Sequence, residues 1–154
     1  MKDTKFKNVK FNNRKRLIEV TYTSGKKYTI HYSSLGIKKN ILEALIDDET
    51  KGHSIIFKFN DGKHDYMPYD QPLAIMKDPE YLLSTHIEYI TAMIKKTLKD
   101  KKISKKYLAE QLNTSENQIH RLLNPTILNK NLEQLYKIIS LLGYEFKISI
   151  DQAA

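Results

Sequence analysis

The chain has no cysteine among its 154 residues. Disulfides, thiolate catalysis and cysteine-ligated zinc are therefore excluded. The composition fits a reducing cytoplasm. Glycine is scarce too, with five residues and no cluster, so no glycine-rich loop can cradle a phosphate. No apolar run approaches the roughly 18 residues that a membrane span needs. The opening MKDTKFKNVKF has charges but no apolar stretch of signal-peptide length. The five histidines, His31, His53, His64, His86 and His120, form no HxH or HExxH pair. No metal or cofactor is expected. Asp47-Asp48-Glu49 is an acidic run of the kind that can hold Mg²⁺, but a solvated loop accounts for it more simply. His64-Asp65 beside Tyr66 has acid–base groups that a small nuclease could use. A polar patch on the outer face of a strand explains them with less.

What is present is positive charge. The formal net charge is +8 and the pI about 9.4, a balance that favours polyanionic partners. Its distribution is uneven. Between Lys95 and Lys137 there are ten Lys or Arg against four Asp or Glu, a net of +6. Hydrophobic residues make up 40% of the chain, enough for a real core in one domain or two small ones.

The basic region holds the most organised stretch, SKKYLAEQLNTSENQIHRLLN, from Ser104 to Asn124. Ser104 is a good N-cap, and Leu108, Ala109 and Leu112 follow on one helical face. Asn113-Thr114 interrupts the pattern, and asparagine tolerates a left-handed turn position. Ser115 caps a second helix, with Gln118 placed to complete a capping box. Ile119, Leu122 and Leu123 form its apolar face, and Pro125 stops it. Ala109 is small where two steeply crossing helices would touch. The opposite face of the second helix presents Glu116, Asn117, Gln118, His120 and Arg121. These side chains can exchange hydrogen bonds with base edges in a major groove. A solvated polar face is the plainer reading of the same residues.

Residues from about Ile90 to Ile150 resemble a Cro/CI-type (Xre-type) helix-turn-helix domain. The resemblance rests on ISKKYLAEQLNTSENQIHRLLNP and NLEQLYKIISLLGYEFKISI. The second block is similar to the end of antitoxins of the HicB and HigA kinds. Arg121-Leu122-Leu123-Asn124-Pro125, then Leu132-Glu133-Gln134-Leu135 through Leu142-Gly143, stand at the matching places. Asn113 departs from the glycine usual in the family. The resemblance implies a double-stranded DNA operator, a homodimer, and a cognate toxin that the front of the chain would silence. It also implies base readout by Glu116, Asn117, Gln118, His120 and Arg121. Lys105, Lys106, Ser115, Asn124 and Lys130 are the phosphate candidates.

The remaining segments supply the frame. Residues 1–12 read as a loose basic arm. Leu17–Tyr22 and Lys27–Tyr32 are β-rich runs around Ser24-Gly25, and Ser54–Phe59 and Lys63–Tyr69 flank Asp61-Gly62, so two hairpins are expected. The strand–(D/S)G–strand pattern resembles a small bacterial domain of unknown function. Asn40–Ile46 reads as short and helical. Gln71–Lys77 is a connector with room for a helical turn. Asp78-Pro79-Glu80 opens a helix expected to reach about Lys101. Its apolar positions are Leu83, Ile87, Ile90, Met93, Ile94 and Leu98. Asn131 caps a last helix, with Gln134 as its reciprocal partner and Leu132, Leu135, Ile138, Ile139 and Leu142 as its apolar face. Gly143 ends it, and Glu145–Ile150 alternates as a strand.

The expected fold is α+β: a small antiparallel sheet domain over 1–78, then a helix-turn-helix domain over 79–154 ending in a short strand. The expected function is sequence-specific DNA binding by a regulator that is not an enzyme. An interaction module that has lost DNA binding and a small nuclease are the alternatives.

Overall fold

A computed structural model describes residues 3–153. Contacts divide the chain into two units, Met1–Leu82 and Leu83–Ala154. The architecture is α+β, with strands first and helices after.

The first unit holds β1 (Phe6–Asn12), β2 (Leu17–Tyr22), β3 (Lys27–His31), β4 (Ile41–Ile46), β5 (Ser54–Phe59), β6 (His64–Pro68) and the short helix α1 (Asp70–Ile75). They form two three-stranded antiparallel sheets, β1-β2-β3 and β4-β5-β6. β2 shows why. Ile18, Val20 and Tyr22 alternate with less buried neighbours, and every second side chain of a strand faces the same way. β5 sends Ile55, Phe57 and Phe59 inward in the same manner. Ile30, Met67 and Leu73 of α1 join them in one core. Asn13 ties the sheets together like a backbone residue: its Oδ1 accepts the Ile41 N–H at 2.8 Å and its Nδ2 donates to Ile41 O at 2.9 Å.

Two segments differ from the sequence reading for one reason. Residues 6–12, read as a loose arm, form β1, whose Phe6 stacks on Tyr22 with ring centroids 5.0 Å apart. Asn40–Ile46, read as helical, contains strand β4. Both strands carry a register shift, between Phe6 and Asn8 and between Ile41 and Glu43. A bulge adds a residue and moves the inward face by one position. Inward residues then stand three apart, Phe6 and Val9 or Ile41 and Ala44, which imitates a helical period.

The acidic run is a turn device. Asp47 is buried, and its carboxylate accepts from Ser54 Oγ at 2.9 Å and from the Glu49 N–H at 3.0 Å. Burial alone would raise its pKa, but these hydrogen bonds outweigh that and hold it below the ordinary value.

Asp78 caps the next helix, α2 (Pro79–Asp100), by accepting the Tyr81 N–H at 2.9 Å. Its other oxygen accepts from Lys26 Nζ at 2.7 Å and Tyr28 OH at 2.6 Å. Burial works against the charge, but these donors outweigh it and lower the Asp78 pKa to about 2. A depressed carboxylate stabilises the fold above its unfolded pKa, about 3.9. That contribution is lost as pH falls through the folded value. Stability is expected to drop by on the order of 2 kcal/mol between about pH 4 and pH 2 through this group. In urea titrations Asp78→Asn should remove most of this pH dependence. An unchanged acid slope in the variant would assign it to other groups.

From Leu83 onward α2 belongs to the second unit, with α3 (Lys105–Gln111), α4 (Glu116–Leu123) and α5 (Leu132–Leu141). Ile94 and Leu98 of α2, Leu108 and Ala109 of α3, Ile119, Leu122 and Leu123 of α4, and Leu135, Ile138 and Ile139 of α5 form its core. Leu132, assigned above to the apolar face, is largely exposed because it occupies the first helical position. α2, α3 and α5 all end alike. A residue of positive φ (Lys102, Asn113 or Gly143) follows the C-cap, and the next N–H bonds back to Leu98 O, Ala109 O or Ile139 O. This is the Schellman arrangement. Only the last of the three uses glycine. Lys101 reinforces the end of α5, where its ammonium donates to Leu142 O at 2.7 Å. The segment after α5 is not a strand: residues 145–153 enter no sheet among the described residues.

Candidate nucleic-acid interface

The centre of the second unit is the α3–turn–α4 pair. Ser104 Oγ accepts the Tyr107 N–H at 3.0 Å, and Ser115 Oγ accepts the Gln118 N–H at 3.1 Å. Both helices thus start from capped, extended residues. Between them Asn113 adopts φ +51°, the left-handed turn that its short polar side chain tolerates. The turn is fixed by Asn113 N–H to Glu110 O and Thr114 N–H to Ala109 O.

α4 is strongly two-faced. Ile119, Leu122 and Leu123 are buried, and Glu116, Asn117, His120 and Arg121 are exposed. Its N-terminus borders a shallow depression that also takes in Lys106, Glu110 and Asn113. Lys105 Nζ lies 3.3 Å from His120 Nδ1, so a phosphate candidate and a base-readout candidate adjoin across the helix pair.

Gln118 differs from expectation. The capping box is only half formed, because its side-chain Nε2 donates to Gln134 Oε1 of α5 at 2.9 Å. Gln134 in turn does not cap Asn131 reciprocally; Asn131 Oδ1 accepts the Gln134 N–H at 3.1 Å. The two amides link α4 to α5 instead. The i, i+3 spacing gave a local partner for each glutamine, and nothing in the sequence marks the tertiary one.

Two phosphate candidates have duties inside the unit. Lys130 Nζ donates to Arg121 O and Asn124 O, each at 2.6 Å, and so closes the C-terminus of α4. Burial, then Lys95 and Arg121, pushes its pKa down. Asn124 Oδ1 accepts from Thr126 N at 2.9 Å and Thr126 Oγ1 at 2.8 Å, which sets the turn at Pro125. Lys106 is exposed.

A capped helix pair with a left-handed turn and a polar outward helix defines a helix-turn-helix unit. Residues 93–147 match the Cro/C1-type HTH DNA-binding domain family. That domain makes this a DNA-binding protein of the regulator kind. No curated protein and no solved structure matches the chain significantly. No helix among the described residues is long and apolar enough to cross a membrane.

Proposed function

We propose that the protein is a sequence-specific transcriptional regulator, an antitoxin-like autorepressor that binds a double-stranded operator as a homodimer in the cytoplasm. The observation that carries this is the outward face of α4, polar and exposed on a helix whose opposite face is core. In this reading the first turn of α4 lies closest to the bases. Asn117 addresses adenine, Glu116 the cytosine amino group and Arg121 guanine. His120 lies beside them, and Gln118, held by Gln134, offers its remaining amide groups. Lys105, Lys106 and the backbone at Ser115 meet phosphates, and Asn124 stands at the far end. The domains act separately: the DNA-binding part spans 79–154, and residues 1–78 hold the cognate toxin. Finding a small toxin-like reading frame beside this one would support that last part, and finding none would count against it.

The test is selection from random duplexes. Enrichment of one two-fold motif is the expected result, because a symmetric dimer reads symmetric half-sites. Recovered sequences indistinguishable from the input would leave an interaction module as the better reading. Metal-dependent cleavage of the duplexes would favour a nuclease.

Phosphate contacts have a separate signature. Lys105→Ala and Lys106→Ala should each weaken binding to all sequences alike and reduce the slope of log K against log salt by about one. Lys130→Ala is expected to lower thermal stability and leave that slope as it was, since its ammonium serves α4 itself. Identical salt slopes in the Lys105 and Lys106 variants and the parent protein would remove both from the phosphate contacts.

A further inference from the structure

The segment after α5 alternates in pattern and pairs with no strand among the described residues. Its apolar residues Phe146, Ile148 and Ile150 alternate with Lys147, Ser149 and Asp151. Phe146 reaches back to the core and meets the Tyr136 ring at 4.6 Å between centroids. Beyond it the apolar series runs into solvent, with Ile148 71% and Ile150 95% exposed. Beside this segment an apolar groove opens along α2, lined by Tyr89, Ile90 and Met93, and Tyr89 is 70% exposed. Among the described residues no backbone hydrogen bond involves 145–153. Unpaired strand groups next to exposed apolar side chains form a template for another strand.

We infer that the occupant is the same segment of a second copy, paired antiparallel about Ser149. The argument is the sequence KISID, residues 147–151. Read backwards against itself, it places Lys147 opposite Asp151 of the partner subunit and Ile148 opposite the partner's Ile150. Ser149 sits at the two-fold. Each pair occurs twice, as an isologous interface requires. Opposite charges and β-branched pairs facing each other across strands are both favourable. Centring the pairing one residue earlier, on Ile148, would instead oppose Glu145 to Asp151, two like charges. The apolar side of the paired strands then covers the α2 grooves. This names the interface of the homodimer proposed above and rests on that part of the reading.

The absence of native cysteine gives a clean test on the full chain. Directly opposed residues in an antiparallel pair have Cα atoms about 4.5–5.5 Å apart, within disulfide range. Ser149→Cys should become disulfide-linked to itself on mild oxidation. Lys147→Cys should link poorly to itself but readily when mixed with Asp151→Cys. Sedimentation of the unsubstituted protein is run in parallel, with and without operator DNA. A dimer by sedimentation in which Ser149→Cys stays unlinked would overturn this interface while leaving the homodimer reading intact. A monomer under both conditions would overturn the interface and the homodimer reading together.

Discussion

Ile119→Ala is expected to lower the stability of the second unit by about 2–5 kcal/mol, the range for removing a large buried aliphatic side chain. Ile119 is fully buried on α4 and packs in the same cluster as Leu108, Leu135 and Ile138. The unit spans Leu83–Ala154, and so small a core leaves little reserve. A small domain has a total stability of about 5–15 kcal/mol, so the substitution removes a large share. His120→Ala, next in sequence on the exposed side, should change stability by no more than about 0.5 kcal/mol. Urea unfolding followed by helical signal compares the two. Equal midpoints for both variants would mean that α4 is not anchored by this face. DNA binding should fall with Ile119→Ala, because the outward side chains are positioned only while α4 is docked.

The helical half of the molecule was readable from sequence because its signals are local. Ser104, Ser115 and Asn131 cap the helices for which their position suited them, and the apolar period of α4 matches its buried residues. On α2 Ile87, Ile94 and Leu98 are buried as expected, but Leu83 is exposed, and Ser84, Thr91 and Thr97 are buried where no apolar period marked them. Asn113 was recognisable as a turn residue despite the missing glycine. Lys102 was not, since lysine gives no hint of a left-handed conformation, yet it ends α2 in the same way. In the front unit the two hairpins were legible from Ser24-Gly25 and Asp61-Gly62. β1 and β4 were hidden by bulges that broke their period of two. At the site, composition placed polar residues on α4. It could not show that Gln118 and Gln134 hold each other or that Lys130 closes the helix, because those pairings join residues 16 and 9 apart through the fold.

Asn117→Ala is expected to cost about 1–3 kcal/mol on the best operator, the scale of one lost bidentate contact, which is up to roughly 150-fold in affinity. On random DNA the cost should be near zero, since nonspecific binding comes from phosphates. Asn117 is the cleanest probe on this helix. It is exposed in the first turn of α4, and its side chain makes no hydrogen bond among the described residues. Its neighbours are less clean. Gln118 is tied to Gln134, His120 to Lys105, and the backbone carbonyl of Arg121 to Lys130. Changing Gln118 or His120 would break a side-chain contact along with readout. Thermal melting of Asn117→Ala should therefore match the parent protein, so that a change in binding reports recognition alone. The comparison is a selection on random duplexes with both proteins, followed by titration on the enriched motif. Relaxed preference at one base pair in each half-site is the expected outcome. Identical motifs with identical affinities would take the first turn of α4 out of base readout.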